Sequence, residues 1–309
     1  MRVVVALGGN ALLRRGQPVD AVTQRANIAT AVAAIAELAR EHQVVVTHGN
    51  GPQVGLLALQ SAALRDVTPY PLDVLGAESE GMIGYLLEQQ LINALDGRPV
   101  ATLLTQVTVN ADDPAFANPT KPIGPIYDQA TAERLAAEHG WSIAPDGEHY
   151  RRVVPSPEPR SIIELPALEL LVSSGVLVVC VGGGGIPVIL DRHQRLHGIE
   201  AVIDKDLSAA LLATYLDADA LLMLTDVPNV EAGWRTPQAR ALTDITVDEL
   251  RTINFAPGSM APKIEAACRF IDATGGTAAI GALADAPALL RGERGTRITA
   301  GPTSSPQGP

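Results

Sequence analysis

The 309-residue chain has little cysteine, almost no lysine and no surplus of positive charge. Its two cysteines, Cys180 and Cys268, stand apart from any histidine at zinc-ligand spacing. That excludes a zinc framework and a multiply bridged scaffold. Cys180 lies in the apolar run Val176–Val181 and Cys268 in a helical pattern, so both read as buried, reduced thiols. No run reaches the roughly 18 apolar residues of a membrane span. The first residues form a short strand-like run, Val3–Leu7, with no cleavage region behind it, which reads as a cytoplasmic protein without a signal peptide. A net charge of -11 argues against nucleic acid, whose phosphates demand clustered Lys and Arg.

What is present is the material of a folded α/β protein, with 47% hydrophobic and 18% charged residues. Short β-branched runs alternate with helical patterns. Strands are expected at Val3–Leu7, Val44–Thr47, Pro99–Val107, Val176–Val181, Ala220–Leu224, Thr277–Gly281 and Thr296–Thr299. Helices are expected at Asp20–Glu41, Pro52–Leu64, Val74–Leu95, Asp206–Leu216 and Ser259–Ala273. Uninterrupted apolar strands separated by helices imply an open, mostly parallel sheet sandwiched between helices. Residues 108–160 break this rhythm with Pro, Asp, Asn and Gly and one helical pattern, Asp128–His139. They read as a protruding subdomain or lid, or else as a long surface excursion. The Pro/Gly/Ser-rich tail 301–309 reads as disordered.

Three glycine-rich loops follow expected strands: Leu7-Gly8-Gly9-Asn10, His48-Gly49-Asn50-Gly51-Pro52 and Gly182-Gly183-Gly184-Gly185-Ile186. Ligands of a parallel sheet bind beyond the strands' carboxyl ends, and glycine lets backbone amides approach an anion there. The loops are not the dinucleotide fingerprint, because Val54, Pro187 and Val188 stand where its third glycine belongs. No Gly-Lys pair exists, so a P-loop is excluded too. Against 20 arginines there are three lysines, Lys121, Lys205 and Lys263, each in a distinctive setting. A compact ammonium can serve as a point charge against one phosphate oxygen. Asp204 and Asp206 flank Lys205; they could cap a helix and pair locally, or orient lysines and a metal–nucleotide complex. His48 reads as a hydrogen-bonded structural histidine rather than a ligand. No Ser/His/Asp or Cys/His set stands out. Phosphoryl transfer through a loose transition state needs positioning and charge neutralisation. An acceptor that is already an anion has no proton for a general base to remove, whereas a hydroxyl acceptor would call for one.

The segments Val4–Ala11, Thr47–Gly55, Leu104–Val107, Asn118–Pro125, Arg152–Pro157, Gly182–Val188, Val202–Asp206 and Phe255–Met260 together resemble the carbamate kinases, a branch of the amino acid kinase superfamily. Their order and spacing agree from residue 3 to about 299. The resemblance implies an acceptor-side lobe in 1–107 and 161–200, a lid in 108–160 and a nucleotide-side lobe in 201–300. It implies phosphate or substrate binding by Gly8, Gly9, Asn10, Gly49, Asn50, Gly51, Gly183 and Gly184. Nucleotide contacts would come from Asp204, Lys205, Thr225, Asp226, Val227, Ser259, Met260 and Lys263. Lys121 would sit over the transferring phosphoryl, Lys205 and Lys263 would neutralise phosphates, and Asp206 would hold the lysines. Mg²⁺ would arrive with ATP or ADP, with no protein ligand assigned to it. A homodimer making ATP from the carbamoyl phosphate of arginine breakdown is also implied. Acetylglutamate and uridylate kinases of similar fold carry a lysine in the first glycine loop; Ala6-Leu-Gly-Gly-Asn10 has none. Asp226–Arg240 departs from the family pattern. A sister kinase for another small acid, and a silent ligand-binding protein, remain as alternatives.

Overall fold

The computed structural model of the chain describes residues 1–13, 17–18, 20–63, 68–255 and 260–301, with the backbone alone at Asn10 and Ala11. The chain opens with β1 (Arg2–Leu7), α1 (Gly9–Leu12), α2 (Ala21–Glu41), β2 (Gln43–His48), α3 (Gly51–Ala63) and α4 (Leu72–Ala94). It continues with β3 (Val100–Thr102), β4 (Gln106–Thr108), β5 (Lys121–Tyr127), α5 (Gln129–His139), β6 (Ser142–Asp146), β7 (His149–Val154), β8 (Ser161–Ile162) and α6 (Leu165–Ser173). Then come β9 (Leu177–Val179), β10 (Ile186–Leu190), β11 (Leu196–Gly198), α7 (Lys205–Tyr215), β12 (Ala220–Thr225), β13 (Val230–Ala232) and β14 (Arg240–Leu242). The last described elements are β15 (Asp244–Thr246), α8 (Val247–Arg251), α9 (Met260–Thr274), β16 (Thr277–Ala282), α10 (Ala286–Leu290) and β17 (Thr296–Thr299).

The main sheet has the order β15-β17-β16-β12-β1-β2-β9-β3. Its pairings are parallel except β16 with β17. The period of two along β1 explains the layering. Val3, Val5 and Leu7 point into a core shared with α2 and α4, while Val4 and Ala6 point into the core that holds α7 and α9. All five are buried, so β1 has no polar face and reads as an unbroken apolar run. From β1 the chain fills β2, β3 and β9 on one side, then crosses to β12 and β16 on the other. That reversal opens a crevice over the carboxyl ends of β1 and β12, the place where such sheets bind ligands.

Two expectations need correction. The run Pro99–Val107 is not one strand: β3 ends the main sheet, and β4 leaves it for a second sheet ordered β11-β10-β4-β8. The break falls at Thr105, whose hydroxyl donates to Leu103 O at 2.8 Å and accepts the Val181 amide at 3.0 Å. Residues 108–160 hold more than one helix, since β5, β7 and β6 form an antiparallel sheet beside α5. Its strands were masked by Pro122, Pro125 and Pro145. A proline removes a ladder donor and is tolerated on edge strands. β5 and β6 are both edges, and the central β7 has no proline. The tail beyond Gly301 lies outside the described residues.

The arm built from β5, β6, β7 and α5 meets the body where β5 crosses α3. A Cβ at Gly55 would overlap the Gly124 backbone, and Gly124 has φ +72°, in the left-handed region. Gly55→Ala should therefore cost about 1–3 kcal/mol through overpacking at this crossing. Urea unfolding checks it; wild-type stability would refute the close approach of α3 and β5.

Candidate active site

The site is built around the first turn of α7. Asp204 starts that helix: its Oδ1 accepts the amides of Asp206 at 2.9 Å and Leu207 at 3.3 Å. Its Oδ2 is left over and takes the ammonium of Lys121, carried in by β5 of the arm. One turn-forming carboxylate thus joins the body to the arm. Asp206 lies inside the first turn. Its Oδ1 accepts Lys205 Nζ at 2.6 Å and its Oδ2 accepts Lys263 Nζ, from the first turns of α9, at 3.0 Å. The structure therefore brings all three lysines onto two carboxylates two residues apart.

The charges do not balance: three ammonium groups face two carboxylates, one positive charge in excess. Lys205 and Lys263 also stand near helix N-termini, where the helix dipole disfavours cations and favours anions. The Asp206 and Lys263 side chains are 5% and 7% exposed, so water screens little of this. Burial works against ionisation of Asp206, but Lys205 and Lys263 outweigh it and hold the carboxyl well below the usual range. Burial likewise opposes the Asp204 charge, and Lys121 overcomes it. Burial takes Lys205 down to about 8 against the pull of Asp206, and the Lys263 charge adds to the drop. Lys263 is desolvated too, yet its bond to Asp206 holds it above its ordinary value. The excess positive charge suits an anionic ligand.

The glycine loops meet at this cluster, but several of their amides are already engaged. Gly8 N–H donates to Leu224 O at 2.9 Å, Gly49 N–H to Leu7 O at 3.0 Å and Gly184 N–H to Val181 O at 3.2 Å. The same three glycines also permit close approach of their neighbours. A Cβ at Gly49 would lie 3.1 Å from both Gly9 N and the Lys205 stem. A Cβ at Gly184, where φ is +99°, would lie 2.5 Å from Ile203 O. Gly183, at φ +67°, packs against the Asn50 side chain, whose Nδ2 donates to Ser79 Oγ at 2.8 Å. Among the described residues the amides of Gly9, Gly51 and Gly183 donate to no protein acceptor and remain available. Asn10 is described by its backbone only, within α1.

On the other side of the crevice, Thr225 ends β12, its Cα 3.8 Å from where a Gly8 Cβ would be. Its hydroxyl donates to Asp226 Oδ1 at 3.1 Å, and Val227 follows. Met260 opens α9 three residues ahead of Lys263, whereas Ser259 lies outside the described residues. The divergent segment 226–240 contains β13 and leads into its partner β14, with the Arg235 guanidinium 4.2 Å over the exposed Trp234 ring. His48 is fully buried, and its Nδ1 donates to Gly49 O at 3.1 Å. Burial, aided by the Lys205 charge, lowers it to about 4, so it is neutral and structural.

Sequence reasoning passed over two contributors. Ser208 on α7 donates to Gly184 O at 2.8 Å. Glu80 on α4 accepts the Gly182 amide at 2.7 Å and the Thr105 amide at 3.2 Å. A signal for Glu80 existed: it shares a buried helical row with Gly84, Leu87 and Leu91.

A family model described as the amino acid kinase family matches residues 1–281. The chain is 55% identical to the carbamate kinase of Rhizobium meliloti (strain 1021) over 302 residues, covering 97% of this chain and 93% of that one. Carbamate kinase from Giardia lamblia bound to citric acid superposes with a TM-score of 0.92 at 41% identity, over 97% of this chain and 98% of that one. The same enzyme bound to AMP-PNP superposes with a TM-score of 0.88 at 40% identity, over the same shares of the two chains.

The pKa of Lys205, lowered to about 8, fixes the pH dependence of anion binding. Below that value the ammonium is charged and attracts the anion; above it the charge is lost. A bound anion raises the pKa again, so binding near pH 8 to 9 takes up a proton. Sulfate, which does not titrate in this range, should lose affinity by about tenfold per unit as pH rises through and beyond the Lys205 value. Calorimetry in two buffers reads both effects. Constant affinity from pH 7 to 9.5 with no proton uptake would sink the assignment.

Proposed function

The chain belongs to the amino acid kinase family, as a carbamate kinase, and we propose that its three lysines carry the phosphoryl group between ADP or ATP and a carbamate oxygen without a general base. The observation that carries this mechanism is Asp206 gripping Lys205 and Lys263 while Asp204 takes Lys121. Carbamate is already an anion, so attack on the nucleotide, or its reverse from carbamoyl phosphate, requires no proton removal. The barrier is then one of charge and alignment, which fixed cations and amides lower.

Lys205 and Lys263 take the nucleotide phosphates and the transferring phosphoryl, held at their spacing by Asp206. Lys121 comes from the arm onto the same phosphoryl oxygens. The open amides of Gly9, Gly51 and Gly183 line the acceptor side, contributed by 1–107 and 161–200. The nucleotide lies on the 201–300 side, along Thr225, Asp226, Val227 and Met260. Asp204 and Asp206 are engaged by lysines, and the described residues hold no group of three or more His, Cys, Asp or Glu able to cage a metal. Mg²⁺, when bound, would be held by the nucleotide's phosphate oxygens and water and would offset their charge.

We place the enzyme in arginine breakdown, in the cytoplasm, running towards ATP. Among the described residues no helix is long and apolar enough to cross a membrane. The protein acts as a homodimer through the outer face of α4. There Met82, Tyr85 and Ile92 are exposed beside Leu104 and the edge strand β3.

A coupled assay should register ATP from carbamoyl phosphate and ADP, with acetyl phosphate far slower. Lys121→Ala, Lys205→Ala and Lys263→Ala should each lose about 3 kcal/mol or more of transition-state stabilisation. Lys205→Arg should fail as well, because a planar fork does not replace a point charge. Near wild-type turnover in all three alanine variants would reject the mechanism. For the dimer, Ile92→Glu combined with Tyr85→Glu should yield monomers by light scattering; an unchanged mass would move the interface elsewhere.

A further inference from the structure

We infer that Glu80 is a positioning residue for the acceptor side of the site, holding the Gly182–Gly185 turn in register with the head of α7. The inference deepens the function proposed above and rests on it only for the name of the acceptor.

The turn after β9 has two hydrogen bonds of its own, Gly184 N–H to Val181 O at 3.2 Å and Gly185 N–H to Gly182 O at 3.0 Å, but its backbone is strained. Val181, a β-branched residue, has φ +52°, and Gly183, Gly184 and Gly185 have φ of +67°, +99° and +88°. Such a run of left-handed conformations persists only where its surroundings over-determine it. Glu80 does this from below. It is 1% exposed on α4, and its two oxygens accept the amides of Gly182 and Thr105. Thr105 Oγ1 in turn accepts the Val181 amide. One carboxyl therefore ties the turn to the β3–β4 connection. Gly182 makes this possible, since a Cβ there would overlap the His48 ring and lie 2.7 Å from Glu80 Cγ. From above, Ser208 holds Gly184 O, and Gly184 lies against Ile203 and Asp204.

The groups facing the Glu80 carboxyl are the Gly182 and Thr105 amides, neutral His48 across Gly182, buried Cys180 just past β9, and Glu164, whose charge repels it. Burial, with that repulsion, raises Glu80 to about 8 against the two amides, so it is neutral at pH 7. A leucine would fill the space but leave the Gly182 and Thr105 amides buried without an acceptor, so the carboxyl contributes to stability as well as to geometry.

The test uses full-length Glu80→Leu and Glu80→Gln, read by amide hydrogen exchange over residues 180–186. In the leucine variant exchange should quicken at least about tenfold, because the Gly182 and Thr105 amides lose their acceptors, and the melting temperature should fall. Its kcat with carbamoyl phosphate should fall at least about tenfold. The KM for ADP should change less than kcat, because Lys205 and Lys263 stay paired with Asp206. Glutamine keeps an acceptor for Gly182 but turns an NH₂ towards the Thr105 amide; it should restore protection at Gly182 and lose it at Thr105. Wild-type exchange in the leucine variant would overturn the inference. Should leucine prevent folding, wild-type protection of Thr105 in the glutamine variant overturns it equally. A wild-type chain inactive with carbamoyl phosphate would remove the proposed function, while the exchange result would still decide the role of Glu80.

Discussion

Asp206 shared between two lysines is the constraint on which the site depends. A buried ammonium is costly, and two within reach of each other are more so. Lys205 and Lys263 belong to different helices, α7 and α9, and a single carboxylate makes their proximity tolerable. Balancing them fully would have left no electrostatic pull on a ligand. The two-to-one ratio keeps the lysines ionised and spaced while preserving an unmet positive charge. The N-termini of α7 and α9 add to that field. A polyphosphate is the ligand class for which this imbalance is favourable.

The scaffold delivers this geometry through backbone approach more than through side-chain reach. Gly8, Gly49 and Gly184 have their amides engaged by protein carbonyls. Their value lies in the missing Cβ: Gly49 lets the Lys205 stem pass, and Gly184 lets the β9 turn touch the residues leading into α7. The parallel strands β1, β2, β9 and β12 then act as rails that end at one level. The order of the sheet is passed to the loops, because close-packed backbones have few ways to adjust.

Much of this was legible in the residues. Uninterrupted valine runs told a two-faced parallel sheet, and the scarcity of lysine singled out three side chains that the structure gathers on Asp204 and Asp206. Other features were hidden for physical reasons. The strands of the arm carry Pro122, Pro125 and Pro145, which look like breakers until the edge positions of β5 and β6 are known. The break between β3 and β4 depends on Thr105 reaching Val181, a contact between residues 76 apart that no local pattern encodes. Gly8 and Gly183 look alike in sequence; which amide is engaged depends on whether a carbonyl such as Leu224 O stands opposite. Glu80 could have been suspected from its buried row, but its partners come from Gly182 and Thr105, each outside α4.

The double role of Asp204 links the arm to the chemistry. Its Oδ1 caps α7 and its Oδ2 holds Lys121, so the arm is fastened to the helix that carries Lys205 and Asp206. A phosphoryl oxygen offers Lys121 the same kind of partner that Oδ2 does: a single anionic oxygen next to the head of α7. Exchanging one for the other leaves Lys121 paired throughout, and the capping bonds through Oδ1 keep α7 in place meanwhile. In the proposed mechanism such an exchange would let the charge follow the phosphoryl with little reorganisation, as transfer without a proton-transfer group requires.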